Sequence, residues 1–131
     1  MSVAAAALCI VVGATTTVLP AERFTLAWLH SVEKTWWEEE YLVAGDWLFA
    51  VAARIRGSGA GMEPPADAVL HAGAYGYRPQ TRWLREITLA RSEFGGAYRL
   101  CIDGRCRPFS DWVAQLDGLT TLKACHPRAP G

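Results

Sequence analysis

The chain has 131 residues, about half of them apolar and a fifth charged, with 13 Lys and Arg set against 13 Asp and Glu. That length makes one domain, residues 1–131, burying roughly two-thirds of the surface its unfolded form exposes, so it needs no metal or cofactor merely to fold. Balanced charge excludes nucleic acid as a partner, because phosphate binding draws on an excess of Lys and Arg, and it excludes a polybasic membrane anchor.

The zero net charge hides a split. Residues 1–66 hold seven acids and four bases, residues 67–131 six acids and nine bases. The two halves therefore carry opposite signs and can pack with complementary fields.

No charged residue precedes Glu22. Residues 3–12 (VAAAALCIVV) have the apolar character of a signal-peptide core without its basic start, and Gly13 with Thr15, Thr16 and Thr17 cuts the run short of a membrane span. A strand over Leu8 to Val12, a turn, and a second strand over Thr16 to Leu19 is the preferred reading; a cleaved leader is the alternative. Phe24, Leu26, Trp28 and His30 then alternate with Thr25, Ala27, Leu29 and Ser31, a period of two that defines a strand. Trp37, Glu39, Tyr41 and Val43 repeat the pattern, Ala44-Gly45-Asp46 marks a turn, and Trp47, Phe49, Val51 and Ala53 follow, completing a three-strand meander.

Gly57 to Pro65 is too rich in Gly and Pro for a strand, and residues 66–84 read as irregular. Arg85 to Leu89, Tyr98 to Ile102 and Arg105 to Phe109 read as further short strands. Ser110 opens one short helix as its N-cap, and Leu119 to Ala124 closes the domain, with residues 1–7 and 126–131 frayed. The pattern predicts an all-β, single-domain antiparallel β-sandwich or small barrel with at most one short helix.

Four cysteines lack the paired spacing of a zinc site. Cys101 and Cys106 flank Asp103-Gly104, a two-residue type I′ hairpin signal. They form the second cross-strand pair, a non-hydrogen-bonded one in which a disulfide is geometrically feasible; two reduced thiols are the alternative. Cys9 and Cys125 can tie the two ends of the chain. Either bridge implies an oxidising compartment.

The densest polar cluster is His30-Ser31-Val32-Glu33-Lys34-Thr35-Trp36-Trp37-Glu38-Glu39-Glu40. With a turn over residues 31–36, a register pairing 30 with 37 sets 28 opposite 39 and His30 diagonal to Glu39, on the face of Trp28 and Tyr41. Such a pair can close one end of the core, bind a ligand or metal, or act in catalysis. Glu38 and Glu40 fall on the other face, as a solvated edge. The second cluster is the loop of Gly57, Ser58, Gly59, Gly61 and Met62, whose N–H groups can face an anion with Arg54 or Arg56 as countercharge. It lacks the GK[ST] ending of a phosphate-binding P-loop, and tight turns are the plainer use of its glycines. Ser31 adjoins His30, which on a strand sends the two side chains to opposite faces and disfavours nucleophilic catalysis.

The order of these segments carries a resemblance. Phe24-Thr25-Leu26-Ala27-Trp28 running into His30-Ser31-Val32-Glu33-Lys34-Thr35, then Trp37-Glu38-Glu39, then Gly57 to Pro65, together with Leu89-Ala90-Arg91-Ser92 and the Cys-x4-Cys hairpin, resembles the bacterial domain-of-unknown-function family 1850. The resemblance implies a small accessory protein of the kind encoded beside TAXI-type TRAP transporters, which import organic acids with a solute-binding protein. The implied partners are a small carboxylate and the transporter's membrane or solute-binding subunit, and the implied location is outside the cytoplasmic membrane. No catalytic residue comes with it.

Three readings follow. The first is a non-enzymatic module that binds a small carboxylate or other anion where His30, Ser31, Glu33 and Glu39 meet Arg54, Ser58, Gly59, Gly61 and Met62. The second is a metal protein or hydrolase-like enzyme using His30, Glu33 and Glu39. The third is a structural partner of a transporter, offering an exposed strand edge or aromatic patch.

Overall fold

A computed structural model describes residues 6–29, 35–56, 69–71, 74–90, 98–113 and 119–126. Two antiparallel sheets face each other across one core, as an open sandwich rather than a closed barrel. The strands are β1 (Ala7–Val12), β2 (Thr15–Pro20), β3 (Arg23–Leu29), β4 (Trp36–Ala44), β5 (Trp47–Arg56), β6 (Val69–His71), β7 (Ala74–Tyr77), β8 (Trp83–Leu84), β9 (Glu86–Ala90), β10 (Tyr98–Ile102), β11 (Arg105–Pro108) and β12 (Leu119–Cys125). The smaller sheet runs β2-β1-β12-β9. The larger runs β11-β10-β3-β4-β5-β7-β6, with β8 also on β5.

The amino-terminal apolar stretch forms the β1–β2 hairpin, closed by Gly13-Ala14, with Gly13 at φ +60°. β1 lies between β2 and β12, and its Leu8, Ile10 and Val12 enter the core beside Leu122 and Leu89. From the larger sheet come Phe24, Leu26, Tyr41, Leu48, Ala50, Leu100 and Ile102. Phe24 stacks on Tyr41 with ring centroids 5.3 Å apart.

Both sheets are closed by sulfur. Cys9 bonds Cys125 across β1 and β12, and Cys101 bonds Cys106 across the β10–β11 hairpin. Asp103 and Gly104 both hold positive φ, +53° and +78°, as a type I′ turn requires.

The meander is present as β3, β4 and β5, but its registers correct the sequence reading in two places. Trp28 lies opposite Trp37 and Leu26 opposite Glu39, two residues along from the expected pairing. A shift of two preserves the face of every side chain, so Glu39 stays on the side of Trp28 and Tyr41. In β5 the expected alternation of Trp47, Phe49, Val51 and Ala53 is broken by a register shift: Glu40 pairs with Ala52 and Tyr41 with Ala50, leaving Val51 without an opposite residue. The inserted residue reverses the alternation, so Leu48 and Ala50 are buried before it, Ala53 and Ile55 after it, and Trp47 is exposed.

Arg82 supports this irregularity. Its Nε donates to the Ala50 carbonyl at 3.2 Å and a terminal nitrogen to the Val51 carbonyl at 3.1 Å, while its guanidinium lies 4.6 Å from the Phe49 ring centre.

Residues 66–84, expected to be irregular, contain β6, β7 and β8. Strands of two to four residues show no period of their own. β8 and β7 are recruited by β5, whose first half pairs with β8 and whose second half pairs with β7, and β6 is recruited in turn by β7. The short helix expected from Ser110 is instead a 3-10 turn over Phe109–Asp111, with Pro108 at the cap position and no side-chain cap. Burial of Phe109 sets the turn, and the Trp112 and Val113 amides both donate to its carbonyl.

Candidate functional site

Alternation along the meander sends its polar residues to two sides of the larger sheet. On the inner side, Glu39 is half-buried and accepts a hydrogen bond from the Tyr41 hydroxyl at 2.9 Å. Burial pushes the Glu39 carboxyl above its ordinary value, and the Tyr41 hydrogen bond pulls it partly back. The Tyr41 phenol is itself pushed well above its usual range, by burial first and then by Glu39 and Tyr77. The pair shares the inner face with Trp28, which stacks on Trp37 and leans on Tyr98.

On the outer side, directly paired residues run in one row across four strands: Arg99 on β10, Ala27 on β3, Glu38 on β4 and Arg54 on β5. The small Ala27 and its neighbour Thr25 sit between longer side chains and leave a groove of about 370 Å³. Trp36 and the Cys101–Cys106 bridge also line it. Arg54 Nε binds Glu38 Oε2 at 3.2 Å, and Glu40 pairs with Arg23 at the same distance. These contacts correct the reading of Glu38 and Glu40 as edge charges. β4 is an interior strand, and both carboxylates are tied to arginines on neighbouring strands.

The Arg99 guanidinium lies 5.1 Å from the centre of the Trp36 ring, and among the described residues it makes no ion pair. Among the described residues the groove therefore holds two guanidiniums and one carboxylate, the carboxylate tied to Arg54. An aromatic platform under a guanidinium fixes its plane and leaves its donor edge for a planar acceptor. This is the chemistry of bidentate carboxylate recognition.

The residues expected to form one site do not all converge. Glu39 and Arg54 project to opposite faces, because Glu39 pairs with Ala53 and Glu38 with Arg54. His30, Ser31, Glu33, Ser58, Gly59, Gly61 and Met62 lie outside the described residues, as does the side chain of Arg56. Among the described residues no three His, Cys, Asp or Glu side chains group as a metal site, and no helix is long and apolar enough to cross a membrane. Sequence reasoning missed Arg99, Trp36 and Thr25 as a set. Alternation in β10 puts Arg99 on the face of Cys101, but that β10 lies beside β3 is a matter of topology.

The model of the family described as Domain of unknown function (DUF1850) matches residues 24–109, a span that includes the meander, the groove and the Cys101–Cys106 hairpin. The chain belongs to this family. No curated protein and no solved structure matches the chain.

Proposed function

We propose that this DUF1850 protein is a non-enzymatic binding module that holds a small carboxylate in the outer groove of its larger sheet and serves organic-acid uptake by a TAXI-type TRAP transporter outside the cytoplasmic membrane. The observation that carries the binding reading is Arg99, seated over Trp36 in a groove of about 370 Å³ and making no ion pair among the described residues. A ligand carboxylate meets the Arg99 fork, Thr25 offers a hydroxyl from the floor, and Glu38 repels a second anionic end unless that end reaches Arg54. The groove therefore favours monocarboxylates, or dicarboxylates long enough to bridge the row. Two disulfides fit an oxidising compartment. The transporter link rests on the family resemblance.

The test is a thermal-shift and calorimetric screen of the disulfide-intact protein against mono- and dicarboxylates, phosphate, sulfate and divalent metals, repeated with Arg99→Gln and Trp36→Ala. A ligand at a hundred times its dissociation constant adds about 2.7 kcal/mol, a rise of roughly 8 °C for a domain of this size. Loss of the shift in Arg99→Gln, with the unliganded midpoint unchanged, supports the site. A carboxylate shift that both variants retain moves the site away from the groove, and a response to metals alone overturns the reading.

A further inference from the structure

Among the described residues β2 is an edge of the smaller sheet, bonded to β1 on one side. Its two-residue turn fixes which backbone groups face outward. Val12 and Thr15 form the closing pair, so Thr15, Thr17 and Leu19 direct their N–H and C=O groups to β1, whereas Thr16 and Val18 direct theirs away from the sheet. Exposed rims of this kind are templates for another strand, and proteins blunt them with charges, prolines, bulges or short strands. The other edges among the described residues show such devices: β11 carries Arg105 and Arg107, β9 starts at Glu86, and β6 and β8 have three and two residues. β2 reads Thr-Thr-Thr-Val-Leu-Pro, has no charge and no register shift, and places its proline last. Val18 is 45% exposed.

We propose that β2 docks on the β2 of a second copy of this chain, antiparallel about a two-fold axis at Thr17, so that two four-stranded sheets become one continuous sheet. The outward groups select this register. Thr16 of one copy faces Val18 of the other as a hydrogen-bonded pair, Thr17 faces its own copy, and Thr15 faces Leu19. The edge is self-complementary because it bears no charge to oppose itself across the axis and sets β-branched residues against one another, which favours cross-strand contact. The inference rests on the strand edge alone and is independent of the groove.

The experiment is sedimentation velocity of the full, disulfide-intact chain over a concentration series. A reversible dimer is expected. Val18→Lys should weaken it by about tenfold or more, the equivalent of about 1.4 kcal/mol, by setting like charges near the axis without changing the melting temperature of the monomer. Thr17→Cys should give a disulfide-linked dimer on mild oxidation, because residues directly opposite in a non-hydrogen-bonded pair bring their side chains closest. Thr15→Cys should not, since its own copy lies four residues along the strand, roughly 13 Å away. A chain that stays monomeric throughout, with no cross-link in Thr17→Cys, overturns the proposal. So does a dimer that Val18→Lys leaves intact, or equal cross-linking of the two cysteine variants.

Discussion

Removing the Cys9–Cys125 bridge should cost the domain more than twice as much as removing Cys101–Cys106. The first joins residues 116 apart and the second residues 5 apart. In the chain-entropy account a cross-link restricts the unfolded state by a constant plus a term in the logarithm of the closed loop, which gives about 4.8 kcal/mol for the long loop and about 2.1 kcal/mol for the short one. Cys9 is also buried, so alanine there leaves a small void that adds to the larger figure. The assay is urea unfolding of two double variants, Cys9→Ala with Cys125→Ala and Cys101→Ala with Cys106→Ala. With a denaturant slope of about 2 kcal/mol/M, the midpoints should fall by about 2.4 M and about 1 M. The slope itself should rise in the first variant, whose unfolded chain is freed to expand, and stay constant in the second. Equal midpoint losses, or a larger loss for the hairpin variant, would refute the argument that loop length sets the ranking.

Three more outcomes follow from buried polar groups. Because burial raises the Glu39 carboxyl above its ordinary value of 4.5, the folded chain binds that proton more tightly than the unfolded one; the contribution is full below that value and is lost as pH rises through the folded value. Glu39→Gln, which still accepts from Tyr41, should flatten this fall and exceed the wild type at pH 7 in a urea series; a wild type that gains stability over the same window relative to Glu39→Gln contradicts the assignment. The Thr120 hydroxyl is fully buried and has no hydrogen-bond partner among the described residues, so Thr120→Val should raise stability by about 1 kcal/mol in thermal unfolding, and a loss would reveal a partner for it. Arg82→Ala should cost about 1–2 kcal/mol by leaving the Ala50 and Val51 carbonyls short of a donor, with altered tryptophan fluorescence from Trp83, which packs 4.7 Å from Phe49. An unchanged midpoint would show that the bulge holds itself.

The sequence alone determined what depends on near neighbours. Alternation in residues 24–29 named β3 and its inward Phe24 and Leu26; Asp103-Gly104 named a hairpin and placed Cys101 opposite Cys106; Gly13 and Gly45 marked turns that hold positive φ. Turn chemistry and a period of two act over a few residues, so they are written locally. Tertiary structure decided what depends on order and register. The unopposed Val51 reversed the faces of β5, which no periodicity in its own ten residues announces. It also put Glu39 and Arg54 on opposite sides of a sheet that the sequence read as one site. Placing β10 beside β3 brought Arg99 to Trp36 from nearly half the chain away, because a strand pairs with whichever neighbour buries its apolar face, and that neighbour is fixed by the packing of the whole sandwich.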